Sequence, residues 1–273
     1  MKKSKDILHW LDQQANQFAS HKDSRFPVEN AVNRFNGATE IGFRDDGSEE
    51  PFLNWLMTCL PQKGNLLDVG AGDGRIALRL RTKDFNVTCL EPAPQRVKQL
   101  KNLGFEVFQN SFMKFESETV FDHVLFCRSL GIAALQDERV ELSKALLKAT
   151  ELSRSKIIIV MPPEEILVHK AFRKAKLPLF KRPIFQYHLL QLLSLQVPIV
   201  QYSHSFYVTR AYKDVEDCID QDFSKMNWDP RQLKKLSQVL SEVLSDKCER
   251  RVHWMARYCE VDSQDLRQAL SRG

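Results

Sequence analysis

The residues best placed to do chemistry lie close together in the first half of the chain. Leu66-Leu67-Asp68-Val69-Gly70-Ala71-Gly72-Asp73-Gly74-Arg75-Ile76-Ala77 reads as a strand, a glycine-rich turn and the start of a helix. Alternating glycines let backbone approach a ligand closely, and a helix start offers N–H groups to an anionic group such as a carboxylate. Asp68, two residues before Gly70, places a carboxylate near the turn, suited to an ammonium group or a bound water. A turn that meets both charges is suited to an amino-acid end. Glu91, in Leu90-Glu91-Pro92, follows Gly74 by 17 residues and closes a second strand. A strand-end acid alone is often merely solvated; at this distance from such a turn it can accept two hydrogen bonds from a ribose diol.

Rival ligands fit less well. A dinucleotide fingerprint, G-x-G-x-x-G, needs glycine at position 75, where this chain has Arg75, and an acid at position 68 is unexpected beside a pyrophosphate. No G-K-[ST] follows the turn, so it is not a Walker loop. A glycine turn with no ligand would cost stability without a reason.

With L-L-D-V-G-A-G-D-G-R and L-E-P about twenty residues on, the chain resembles the class I S-adenosylmethionine-dependent methyltransferases. The resemblance covers residues 65 to about 161 and extends more loosely beyond. It implies a Rossmann-like, doubly wound α/β sheet of seven strands, mostly parallel, with an antiparallel last strand, Arg251 to Val261, inserted between the fifth and sixth. It also implies that Asp68 and the loop Gly70, Ala71, Gly72 and Gly74 hold the methionine part of the donor, while Glu91, followed by Pro92, holds the ribose. The loop after the third strand, Asn110-Ser111-Phe112, would border the adenine, and the product would be S-adenosylhomocysteine. By position after the fourth strand, Cys127 and Arg128 would border the methionine end or the acceptor.

The chain departs from familiar variants of that family. Many relatives carry an acid in the third loop; here Asn110 or Ser111 would substitute, and Phe112 is either a ring packed on adenine or a core aromatic. The [DNS]-P-P-[YFW] of nucleobase-amine enzymes is missing after the fourth strand, and Pro162-Pro163 follows the fifth instead. Cys127 lacks the Pro-Cys of a cytosine-5 nucleophile and reads better as a packed thiol. Methyl transfer needs alignment and exclusion of water, and a base only when the acceptor arrives protonated. His9, Tyr187, His188 and Tyr202 are the candidates, none singled out by spacing, so no catalytic residue is assigned. His123 starts the fourth strand, away from the ligand end.

Positioning these residues requires alternating strands and helices. Apolar runs predict strands at 66–69, 86–90, 106–109, 122–127 and 156–161, the last stopped by Pro162-Pro163. Helices are predicted at 75–81, 93–103 and 137–153, a βαβ rhythm that means a parallel sheet. Ahead of this lie an amphipathic helix over 4–19 and a second from Glu49 to Leu60 that Ser48 could cap. Beyond it lie helical stretches at 164–176 and 185–195, a strand from Ile199 to Thr209, helices at 215–223 and 230–245, and the last strand. The domain reading is N-terminal helices over 1–60, a methyltransferase domain over 61–261 with helical insertions near 164–196 and 213–246, and a tail over 262–273. Trp10, Ala15 and Phe18 would line either a lid or a permanently packed helix.

Composition sets broad limits. The chain has 273 residues, 43% hydrophobic and 27% charged, with a net charge of +5, which permits an anionic partner without demanding one. The run Lys170, Arg173, Lys174, Lys176, Lys181, Arg182 is either a solvated helix face or a site for phosphate, RNA or an acidic partner. Six cysteines without a C-x-x-C pair point to reduced thiols in the cytoplasm, with no zinc site or disulfide framework. Neither the N-terminal segment, interrupted by Asp12, Gln13 and Gln14, nor Leu189 to Val200 can serve as a signal core or membrane span. The resulting reading is a soluble methyltransferase with a small-molecule acceptor. RNA or protein methylation through residues 170–182, and a non-catalytic module that binds the donor or a partner, are the alternatives. A nicotinamide oxidoreductase is disfavoured by Arg75 and Asp68.

Overall fold

A computed structural model describes residues 12–13, 50–61, 63–136, 139–165, 175–177, 197–220, 229–244 and 248–271. Short apolar runs bounded by turns build its centre. β1 (Gly64–Val69), β2 (Phe85–Leu90), β3 (Glu106–Phe108) and β4 (Phe121–Cys127) are joined in turn by α2 (Arg75–Arg81), α3 (Pro94–Asn102) and a 3-10 turn at Phe112–Lys114, all preceded by α1 (Glu50–Cys59). After β4 come α4 (Leu130–Ala133), a hairpin pairing Leu135–Gln136 with Arg139–Val140, α5 (Leu142–Leu152) and β5 (Ser153–Glu165). The remainder is β6 (Ile199–Ala211), α6 (Val215–Cys218), α7 (Pro230–Val243), β7 (Glu249–Asp262) and α8 (Ser263–Ser271).

The seven strands form one sheet in the order β3-β2-β1-β4-β5-β7-β6. The first five run parallel, and β7 lies antiparallel between β5 and β6, as the resemblance implied. Strands covered on both faces need apolar residues on both, and β1 and β4 are buried at consecutive positions for that reason. One face packs on α1, α2 and α3 through residues such as Leu56, Leu80, Leu100 and Ile158; the other packs on α5 and α8 through Leu146, Ala149, Ile159 and Leu266.

Three features differ from the sequence reading. β5 continues through Pro162-Pro163, with a register shift against β7 between Met161 and Glu164 that skips two residues unable to donate to the ladder. The predicted helix at 137–153 is shorter, starting at Leu142, because the hairpin strand Arg139–Val140 occupies its expected first turn. Residues 263–271, read as a tail, are helical: the Asp262 carboxylate accepts from the amides of Gln264 (2.9 Å) and Asp265 (3.3 Å), and Leu266 enters the core.

β6 and β7 pair from Ile199↔Val261 to Ala211↔Glu249. β4 ends level with Val160, Tyr258 and Tyr202, so residues 203–211 of β6 and their β7 partners run on as a ribbon. At about 3.3 Å per residue it extends roughly 30 Å past the carboxyl end of β4. α6 and α7 join its strands, with a small core of Leu177, Tyr212, Cys218, Leu236 and Leu240. The predicted helices at 4–19, 164–176 and 185–195 lie largely or wholly outside the described residues, as does Ser48. No described helix is long and apolar enough to cross a membrane.

Candidate functional site

The sheet order decides which loops can meet. Residues 110–112, 91–92, 68–74 and 127–128 sit at the carboxyl ends of β3, β2, β1 and β4, four strands adjacent in that order. Connections leave β1 toward β2 but reach β4 from β3, so the order reverses between β1 and β4, where open α/β sheets bind ligands. Thus Asp68, Gly70, Ala71, Gly72, Gly74, Glu91 and Pro92 form one neighbourhood, flanked by Asn110 and Ser111 on one side and Cys127 and Arg128 on the other.

The loop is fastened to β2 by its backbone. Gly70 N–H (2.7 Å) and Ala71 N–H (3.3 Å) both donate to the Leu90 carbonyl, and Gly74 N–H donates to Ala71. Gly70 has φ of 73°, and a Cβ there would lie 2.8 Å from Ser129 Cβ, so that position admits only glycine. Gly72, at φ of 61°, is different: a Cβ there would meet only the Arg96 guanidinium at 3.4 Å and its own loop at 4.0 Å. Its bare backbone faces the more open side.

Glu91 is 3% exposed, and both its oxygens are engaged: Oε2 accepts from Gly72 N–H (2.9 Å) and Oε1 from Ala93 N–H (3.0 Å). Each carboxylate oxygen keeps a further lone pair for a hydroxyl. Asp68 is 1% exposed, and its Oδ2 has no hydrogen-bond partner among the described residues. Burial, and secondarily the Glu91 charge, push the Asp68 carboxyl up to about 7. Cys89, level with Asp68 on β2, is raised by burial and by both acids and stays a thiol.

Other predicted residues fall in different environments. At the start of α2, Asp73 accepts from the Arg75 amide (3.3 Å) and pairs with its guanidinium (2.6 Å), so one expected donor is already used. Phe112 is 2% exposed and packs edge-on against Phe126 at 5.1 Å. It is the core aromatic of the two readings, leaving almost none of its ring for adenine. Asn110 stabilises its own turn, accepting from Ser111 N–H (2.9 Å) and donating to the Lys114 carbonyl (3.2 Å). Cys127 is half-buried and packs on the α1 side of the core. Arg128 adopts φ of 64°, with its guanidinium 4.2 Å above the Phe52 ring of α1.

Among the candidate bases, His9, Tyr187 and His188 lie outside the described residues. Tyr202 is 49% exposed on β6, three strand spacings from β4. That is roughly 14 Å from β4. His123 sits at the opposite end of β4, edge-on to Phe85, with burial lowering its basicity. Ser129 escaped the sequence reading: it is buried, and its hydroxyl donates to the Val69 carbonyl, pinning the end of β1 to the turn after β4. Nothing near it in sequence marks that role. No group of three or more metal-binding side chains occurs among the described residues, and none of the six cysteines forms a disulfide.

No family model matches the chain. It is 28% identical over 139 residues to YqeM of Bacillus subtilis (strain 168), a methyltransferase by designation only; the match covers 46% of this chain and 51% of YqeM. The chain thus spans about half the length of that curated relative. Among solved structures, YcgJ of Bacillus subtilis aligns over 78% of this chain and 98% of its own with a TM-score of 0.49 and 11% identity. Coclaurine N-methyltransferase bound to N-methylheliamine and S-adenosylhomocysteine aligns over 95% of this chain and 88% of its own, at 0.44 and 14%. Strand order, the inserted antiparallel strand and the glycine loop beside Glu91 form the Rossmann-like seven-stranded sheet that the resemblance to the class I S-adenosylmethionine-dependent methyltransferases implied.

Proposed function

We propose that this chain binds S-adenosylmethionine at the carboxyl ends of β1 and β2 and transfers its methyl group to a small-molecule acceptor. The observation that carries this reading is the pair of buried acids Asp68 and Glu91 flanking a loop whose backbone at Gly72 remains approachable. The donor set fits the group: an orphaned carboxyl oxygen on Asp68 suits an ammonium, and Glu91, already oriented by two amides, suits a ribose diol. When bound, S-adenosylmethionine supplies a sulfonium methyl whose bonding pair departs with sulfur, so the leaving group needs no proton. The chain's own part is to orient the donor through the loop and to exclude water. Cys127, which ends β4, and Arg128 after it border the methionine end or the acceptor. The missing [DNS]-P-P-[YFW] after β4 argues only against methylation of a nucleobase exocyclic amine.

Calorimetry tests this reading directly. The wild-type chain binds S-adenosylmethionine and S-adenosylhomocysteine, and Gly72→Val and Glu91→Gln each weaken both by roughly tenfold or more. Failure of the wild type to bind either ligand overturns the reading.

A further inference from the structure

Two acids end neighbouring strands inside the protein, and their surroundings are unequal. Glu91 receives two backbone N–H donors, which stabilise a carboxylate. Asp68 is 1% exposed with an orphaned Oδ2, next to the negative charge of Glu91. Two buried like charges at close range do not both form without a compensating cation. Other titratable and charged groups surround the pair. On β2, Cys89 stays a neutral thiol. In the loop, Arg75 pairs with Asp73; after β4, Arg128 lies over Phe52; on α3, Arg96 is placed beside Gly72. None of these cations figures in setting the Asp68 equilibrium, which burial and then Glu91 dominate.

We propose that Asp68 is protonated in the ligand-free protein and ionises when the ammonium of the methyl donor arrives, so that donor binding releases a proton. This rests on the S-adenosylmethionine reading above. The step balances simply: the Asp68 O–H bond breaks, its proton passes to solvent, and the carboxylate left behind pairs with the ligand's ammonium. A ligand carrying the adenosine but no amino-acid end gives no such release. The site therefore discriminates for the charged amino-acid end, and donor affinity falls as pH drops below neutrality.

The test is calorimetry at pH 6, where the ligand amine is fully charged, in two buffers of different ionisation enthalpy. With S-adenosylhomocysteine the apparent enthalpies differ by an amount corresponding to net proton release at pH 6, and the difference shrinks at pH 8. With 5′-methylthioadenosine, measured by displacement, they coincide. Asp68→Asn mimics the neutral acid; it keeps the wild-type fold by circular dichroism, binds S-adenosylhomocysteine roughly tenfold more weakly and releases no proton. If S-adenosylhomocysteine binds without proton release, this inference fails while the cofactor reading stands. If Asp68→Asn still releases the proton, another group supplies it and the inference also fails. If no adenosyl ligand binds the wild type, both readings fall.

Discussion

A carboxylic acid held neutral by burial leaves a mark on stability that is independent of any ligand. Asp68 in the folded chain titrates near 7, whereas in the unfolded chain it titrates near 4. Below about pH 4 both states are protonated and burial carries no charge penalty. Between about 4 and 7 the unfolded chain ionises first, so stability falls as pH rises; above 7 the loss is complete. His123 acts in the opposite sense. Its basicity is lowered by burial, so stability falls as pH drops through its ordinary value near 6.5. The two trends overlap and partly cancel in the wild type, so a variant is needed to separate them. Thermal melts from pH 4.5 to 8 should show Asp68→Asn gaining on wild type with each step up to about 7 and no further. A constant difference across that range would mean that Asp68 does not titrate there. Asp68 and Glu91 stand out in the sequence by residue type and spacing, and the structure buries both at the ends of neighbouring strands. The contacts of Ser129 with Val69 and of Arg128 with Phe52 were not legible there, because they join residues 60 and 76 positions apart. Phe112 was open to two readings because an aromatic at a strand end looks the same whether it faces a ligand or the core.

At the scale of elements, helix starts show how much of the fold is local. α7, expected from residue 230, has a local start: Asp229 accepts from Arg231 and Gln232 N–H (2.8 Å each), and its own amide donates to Gln232 Oε1. α5 was misplaced because its cap comes from elsewhere. Glu141, at its N-cap position, makes no side-chain cap bond; instead Asp12 accepts from Ser143 N–H (3.2 Å) and its hydroxyl (2.5 Å). A cap supplied from 131 residues away carries no local signal. β5 was cut short for a related reason. Prolines do end isolated strands, but β7 pairs again beyond them at Glu164↔Met255. Asp12 itself sits at the end of α5 nearer the carboxyl edge of the sheet, since α5 runs back from that edge. Asp12→Ala should lower stability by about 1 kcal/mol in chemical denaturation, and Ser143→Ala by a similar amount. The double variant should lose little more than either alone, because both remove one interaction. Additive losses would show that the two residues act separately.

Across the whole molecule, three buried clusters divide the labour. Two lie on opposite faces of the sheet and share its strands; the third, around Leu236 and Leu240, sits at the far end of the β6–β7 ribbon. The ribbon runs past the carboxyl end of β4, so the α6–α7 insertion is carried beyond the glycine loop without forming it. None of the residues that fasten the loop, Leu90, Glu91, Ala93 or Ser129, belongs to the third cluster. That separation predicts unequal local stability. Leu240 is 1% exposed, and Leu240→Ala should cost about 2–5 kcal/mol within its own cluster. In hydrogen exchange, amides of α7 should then open roughly tenfold faster or more, while those of β1, β2 and β4 keep their protection. S-adenosylhomocysteine affinity should stay within about twofold of wild type, because among the described residues the Gly70–Gly74 loop is fastened to β2, α3 and the turn after β4 and not to the third cluster. Uniformly faster exchange in sheet and insertion would instead make the two a single cooperative unit. In that case a change in the insertion would reach the donor loop through the ribbon, and affinity would fall with the sheet's protection.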